Sequence, residues 1–360
     1  MGYERARIAA MQGYVPGKQP TSPDVIKLNT NENPYPPSPA VMHAIHAVLP
    51  EALRKYPSPA ADGFRAVAAK VHDAHGLALD NVVAVNGGDE LLRMAIATFV
   101  EPGQRIGTVE PSYSLYPVLA EAHGSPVFSI DAQDDFSLPG DTAERMNAAG
   151  VKLLFIVCPH APSGQLTKVA ELSRVASAFK GVVLVDEAYI DFVDPALGHD
   201  ATELVKKHDN VLLLRTLSKG YSLAGLRFGY GLGAESLIAP MLWKTRDSYN
   251  VDALAQAAAT AALENRAYAQ ASWERVRSER VRLRDALAAL GFRVHPSQSN
   301  FVLAHVPARK NARALRDQLE QHGLLVRYFD APRIDDALRI TVGTEAQNDR
   351  LVAALQTLLT

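Results

Sequence analysis

The sequence predicts an α/β protein built on a large, mainly parallel sheet flanked by helices, with a smaller α+β unit after it. Three observations carry this expectation. Residues 82–85, 153–157, 182–185 and 211–214 are apolar at every position, as strands covered on both faces must be. Helical patterns separate them, as in 63–75, where Phe64, Val67, Ala68 and Val71 fall on one face. The chain has 360 residues, 48% hydrophobic and 21% charged, which is more than one core usually serves, so about two domains are expected.

From the N-terminus, residues 1–39 are rich in Pro, Asn and Gly, and Asn33-Pro34-Tyr35-Pro36-Pro37 cannot be a helix interior. They read as an extended arm that joins the small domain. Residues 40–250 alternate strand and helix, the mark of a parallel sheet, and form the large domain. Residues 251–360 form the small C-terminal domain: a long helix over 253–290 stopped by Gly291, two strands at 300–306 and 338–342, and a helix at 312–322 between them.

Composition excludes several classes of function. With 37 basic and 39 acidic residues the net charge is −2, and no Lys/Arg block offers a nucleic-acid footprint. Cys158 is the single cysteine, so an intramolecular disulfide is impossible. No apolar run reaches membrane-spanning length, and residues 1–10 lack the core of a signal peptide, so a cytoplasmic location with no membrane partner is expected.

The chemistry should gather at the carboxyl ends of the parallel strands. After 82–85 come Asn86-Gly87-Gly88-Asp89-Glu90 and a helical run, which serve either as a plain turn or as an anion site on free first-turn amides. After 182–185 comes Asp186, a buried-strand carboxylate that needs a cationic or protonated partner or acts as a cap. After 211–214 come Thr216, Ser218 and Lys219, with Arg227 eight residues further on. Together an acid, an amine, a glycine-opened helix and an arginine match the needs of a pyridoxal phosphate aldehyde, ring nitrogen and phosphate.

The order Gly88-Asp89-Glu90, Pro111-Ser112-Tyr113, Asp186-Glu187-Ala188-Tyr189, Ser218-Lys219 and Ala224-Gly225-Leu226-Arg227-Phe228-Gly229 resembles the fold-type I pyridoxal phosphate aminotransferases. Within them the chain is most similar to the histidinol-phosphate aminotransferase family. Tyr14-Val15-Pro16-Gly17, Leu28-Asn29-Thr30-Asn31-Glu32-Asn33-Pro34, Arg54-Lys55-Tyr56-Pro57 and Leu338-Arg339-Ile340-Thr341-Val342-Gly343 carry that likeness across nearly the whole chain. The resemblance implies transfer of the amino group of L-histidinol phosphate to 2-oxoglutarate, giving glutamate, in histidine biosynthesis. It also implies a homodimer with shared active sites.

Residue by residue, the resemblance gives Lys219 the covalent link to the cofactor and the proton transfer, and Asp186 the ring nitrogen. Tyr113 would stack on the ring and Tyr189 would bond its hydroxyl. Gly88, Asp89, Ser218 and Arg227 would hold the phosphate, with Thr216 as a further contact. Tyr56 would reach the partner subunit's site. Arg327, Arg339 and Tyr14 would hold the anionic end of the substrate, for which guanidinium forks suit both phosphate and carboxylate.

One segment departs from the family. Where its members usually read Asn-Pro-Asn-Asn-Pro-Thr-Gly, this chain reads Cys158-Pro159-His160-Ala161-Pro162-Ser163-Gly164. The second paired asparagine donates to the ring hydroxyl in the family, and Ala161 cannot. Tyr189 alone, His160 or a water would then carry that contact. His43 with His46 and His72 with His75 have metal-compatible spacing but no third ligand in sequence, and read as surface helix histidines. Tyr249-Asn250 is a hinge or a site wall, and Asn300 a turn or register device. Rival readings are an aromatic or broad-specificity aminotransferase, a threonine-phosphate decarboxylase on the same fold, and a binding protein without turnover.

Overall fold

The computed structural model describes residues 2–360. Its strands are β1 (Ile26–Leu28), β2 (Val82–Val85), β3 (Arg105–Glu110), β4 (Val127–Asp131), β5 (Val151–Val157), β6 (Val182–Asp186), β7 (Val211–Thr216), β8 (Gly229–Gly233), β9 (Arg293–Val294), β10 (Phe301–His305), β11 (Leu324–Tyr328) and β12 (Ala337–Thr341).

Seven strands make the first sheet in the order β2-β8-β7-β6-β5-β3-β4, and only β8 runs against its neighbours. The uniform apolar runs have a simple cause. Along β5, Leu154 and Ile156 join the core on one face while Leu153, Phe155 and Val157 join the core on the other. The same alternation splits Val211 and Leu213 from Leu212 and Leu214 on β7, because successive side chains leave a strand on opposite faces. Helices cover both faces, so these runs are apolar on both.

Five strands make the second sheet in the order β1-β11-β12-β10-β9. The arm contributes β1, which pairs parallel with β11 through Ile26↔Leu324 and Leu28↔Val326. Helix Ala312–Gln321 packs on this sheet, and helix Glu345–Leu359 packs on Ala312–Gln321.

Two expectations change. The helix expected over 253–290 is two helices, Ala253–Glu264 and Arg266–Ala289, that meet at Asn265 (φ −100°, ψ 43°). Asn265 Nδ2 donates to Ser38 Oγ at 3.1 Å, which turns the chain. The first helix packs on Pro39–His46 and Asp62–Val71 beside the large sheet, while the second reaches the second sheet. His72 is no surface residue. It is buried, with Nε2 at 3.3 Å from Tyr230 Oη, and burial pushes its imidazole down to about 3.

Candidate active site

A cavity of about 210 Å³ opens at the carboxyl edge of the first sheet, facing the second. Strand ends supply its walls: β2 leads into the helix Gly88–Phe99, β3 into Ser112 and Tyr113, β5 into Ala161, β6 into Asp186, and β7 into Ser218 and Lys219. Gly88, Asp89, Tyr113, Asp186, Tyr189, Thr216, Ser218, Lys219, Arg227, Tyr14, Arg327 and Arg339 all line it. Tyr56 does not. It is 79% exposed and stacks on Tyr249 with ring centroids 4.3 Å apart.

Asp186 is buried and accepts from Tyr116 Oη at 2.8 Å and from the Ala188 amide at 3.1 Å. Burial raises its carboxyl to about 6 against the lowering effect of those two donors. The structural ion pair that Asp186 could have made belongs to its neighbour. Glu187 accepts from Arg215 Nε at 2.6 Å in the buried interior.

Lys219 Nζ donates to Thr30 O of the arm at 2.8 Å. Burial lowers its ammonium to about 8; Glu32 opposes this, and Arg339 and Arg227 add to it. An amine near pH 8 is partly neutral, as a nucleophile must be.

At the glycine turn, Gly87 has φ +78°, and a Cβ there would meet Arg227 Nη2 at 2.6 Å. A Cβ on Gly88 would meet Leu214 Cδ2 at 3.1 Å. The turn therefore brings bare backbone amides beside Arg227, which reaches Asp89 Oδ2 and Ser218 Oγ, each at 3.4 Å. Thr216 Oγ1 donates to Ser218 Oγ at 3.0 Å. Asp89 brings a negative charge to the same corner, offset by Arg227.

Asn31 Nδ2 donates to Tyr189 Oη at 3.0 Å, which leaves the phenol proton free to be donated in turn. Asn31 is held by Thr341 of β12 and its carbonyl by Asn300 Nδ2 at 2.9 Å, so Asn300 anchors the arm. Both ring nitrogens of His160 point elsewhere, to Ser163 Oγ at 2.7 Å and Pro111 O at 2.8 Å. Asn250 joins Ala84 O and Glu90 Oε2 at 3.0 and 2.9 Å, bracing the glycine turn.

Arg339 is half-buried, its guanidinium stacked 5.2 Å from both Phe301 and Phe329. Its Nη2 donates to Asn29 O at 3.0 Å, and among the described residues its Nε has no partner. Arg327 lies 5.3 Å from the Phe329 ring, and Tyr14 lies edge-on to Tyr113 at 6.0 Å. Sequence reasoning did not single out Tyr116, Thr30, Asn31 or Phe329. Tyr116 has the spacing of an ordinary core residue on a helix, and Thr30 and Asn31, though within the Leu28–Pro34 motif, act through backbone and amide groups to which that motif gave no role.

The pattern for class I and II aminotransferases matches residues 23–355. Histidinol-phosphate aminotransferase 1 of Trichormus variabilis is 42% identical over 358 residues, 99% of each chain. The chain belongs to the class I and II aminotransferases, among the histidinol-phosphate aminotransferases. Histidinol-phosphate aminotransferase of Geobacter sulfurreducens is 42% identical to this aminotransferase over 98% of each chain. The crystal structure of histidinol-phosphate aminotransferase from Sinorhizobium meliloti in complex with pyridoxal-5'-phosphate shares the fold, with a TM-score of 0.89 and 24% identity over 100% of this chain and 98% of that one.

Proposed function

We propose that this chain transfers the amino group of L-histidinol phosphate to 2-oxoglutarate, using pyridoxal 5'-phosphate, and yields imidazole acetol phosphate and L-glutamate. The observation that carries the reading is that buried Asp186 and half-buried Lys219 line one cavity with the glycine turn at Gly88. Relatives named for the reaction, 42% identical over almost their whole length, support the choice of donor.

The residues fit the cofactor. The Gly87-Gly88 cradle would be filled by a Cβ, and next to it stand Arg227, Ser218 and Thr216 for a phosphate. Asp186 keeps an acceptor for a protonated ring nitrogen, and Tyr113 offers an aromatic face at the cavity wall. When bound, the cofactor supplies an aldehyde for covalent capture and a protonated ring that withdraws electrons from the substrate carbon.

The chain's own residues do the rest. Asp186 Oδ holds the proton on the ring nitrogen, its carboxylate oriented by Tyr116 and the Ala188 amide. Lys219 Nζ would hold the cofactor aldehyde covalently, with loss of water, and once released would move the proton to and from the substrate carbon. The free phenol proton of Tyr189 serves the ring hydroxyl where Ala161 offers no donor. The amides of Gly88 and Asp89 hold the phosphate with Arg227, Ser218 and Thr216. Arg327, Arg339 and Tyr14 bind the anionic tail of the substrate, the unpartnered Nε of Arg339 being available to it.

We assign residues 40–250 to the cofactor and 1–39 with 251–360 to the substrate tail, a grouping supported by the β1–β11 pairing. Exposed Tyr56 supports a homodimer in which it completes the partner's site. None of the helices among the described residues is long and apolar enough to cross a membrane, and we place the enzyme in the cytoplasm.

The test is a half-reaction screen. The cofactor-loaded protein is mixed with histidinol phosphate, phenylalanine, tyrosine or threonine phosphate, and loss of its visible band is followed. Histidinol phosphate should react fastest. A faster aromatic donor, or release of carbon dioxide from threonine phosphate, would overturn the substrate assignment.

A further inference from the structure

Two loops close the cavity over the same sheet edge. One follows β3 and brings Ser112 and Tyr113; the other follows β5 and brings Ala161 and Pro162. A buried side chain behind the cavity, His160, joins them.

Its hydrogen bonds fix its tautomer. Pro111 O can only accept, so His160 Nε2, 2.8 Å away, carries the proton. Ser163 Oγ already accepts the Gln165 amide at 3.2 Å, so its own proton goes to His160 Nδ1 at 2.7 Å. A neutral imidazole satisfies both contacts. Burial and the charge of Arg333 keep it neutral, pushing the ring down to about 4.

The face of the ring leads to the second sheet. His160 stacks on Phe136, centroids 5.7 Å apart and planes 26° from parallel. The Arg333 guanidinium sits 5.3 Å from the Phe136 centroid and donates to Ala132 O at 2.7 Å and to Gln133 O. Phe136 and Arg333 both have left-handed backbones, φ 65° and 73°, a strain that non-glycine residues keep only where surrounding contacts enforce it. Arg333 lies between β11 and β12, the strands that carry Arg327 and Arg339.

We propose that His160 is a positioning residue for Tyr113: its Nε2–H pins the Pro111 carbonyl, and Phe136 and Arg333 tie that placement to the seating of the second sheet. The proposal rests on the reading of the cavity as a pyridoxal phosphate site.

Two variants separate this role from plain core packing. His160→Gln puts an amide N–H near the place of Nε2 and keeps the donor to Pro111. His160→Asn is shorter, reaches only the Ser163 side and loses it. The measurements are equilibrium affinity for pyridoxal phosphate, the visible circular dichroism of the bound ring, and the melting temperature of the cofactor-free protein. His160→Asn should bind the cofactor about fivefold to tenfold more weakly, the size of one hydrogen bond, with reduced dichroism. His160→Gln should stay close to wild type in both. Wild-type affinity and dichroism in His160→Asn would overturn the proposal, as would equal impairment of both variants, which is what a packing role would give. Failure of the wild type to take up the cofactor would instead overturn the reading of the cavity.

Discussion

The hydroxyl of Tyr116 donates to Asp186 Oδ2 at 2.8 Å, and its ring lies flat on Phe155 at 4.6 Å. Among the described residues it is the only side chain bonded to that carboxylate. Asp186 titrates near 6 in the fold against an ordinary 3.8, so the folded state binds its proton more tightly than the unfolded chain does. The stability this gives is present below the ordinary value and is lost as pH rises through about 6. Denaturation of the cofactor-free protein should show that loss, and Asp186→Asn should remove it. Tyr116→Phe should carry the loss to higher pH and cost about 1–3 kcal/mol at neutral pH, because the carboxylate is left short of a donor. A pH–stability curve unchanged in Tyr116→Phe would refute this.

Lys219 is depressed to about 8 from 10.5, so the folded state disfavours its charged form. Its share of stability is full above the ordinary value and is lost as pH falls through about 8. The neutral fraction grows about tenfold per unit up to that pH, so the rate at which the cofactor-free protein captures pyridoxal phosphate should climb likewise and then level off. Stopped-flow absorbance would measure it. Lys219→Ala should form no borohydride-reducible adduct by mass spectrometry and should lose several orders of magnitude in turnover. A pH-independent capture rate, or an adduct in the variant, would remove Lys219 from its role.

Arg327 and Arg339 should respond differently. Arg327 stacks on one ring at the cavity wall, and Arg327→Ala should raise KM for the phosphorylated donor by about tenfold while kcat changes little, the pattern for loss of uniform binding. Arg339 is sandwiched by two rings and holds Asn29 O of the arm, so even Arg339→Lys should lower kcat as well as affinity. Steady-state kinetics of both variants with histidinol phosphate decides this, and an unchanged KM in Arg327→Ala would release that residue from substrate binding.

Tyr56 is exposed yet stacked on Tyr249, an arrangement suited to a surface covered by a second subunit. Sedimentation should give a dimer. Tyr56→Ala should leave the melting temperature of each chain almost unaltered while weakening cofactor retention. A fully active monomer would overturn the shared site.

Much of the central sheet was legible because two-sided burial leaves an uninterrupted apolar run, as in β5 and β7. β8 was not, since Gly-Tyr-Gly-Leu-Gly lacks the uninterrupted apolar run. Its glycines are there for want of space: a Cβ on Gly229 would strike Arg215 O at 2.9 Å and one on Gly231 would strike Val83 Cγ1 at 2.9 Å. The edge strand β4 was missed because most of its side chains face water or are only half-covered. At the cavity, the acid, the amine and Arg227 were readable from their places after the strand ends, whereas Arg327 and Arg339 were legible only through the family resemblance. Tyr116 and Asn31 were not, because their importance comes from the partner each meets, 70 residues away at Asp186 and 158 away at Tyr189.

The three residues of β1 find their neighbour only in Leu324–Tyr328. During synthesis on the ribosome that short segment emerges early and waits for nearly the entire polypeptide before it can pair. Thr30 and Asn31, which follow it, reach Lys219 and Tyr189 only from that docked position. Nascent chains cut short before residue 324 would therefore lack the strand that seats Thr30 and Asn31, and with it the seal over the pocket.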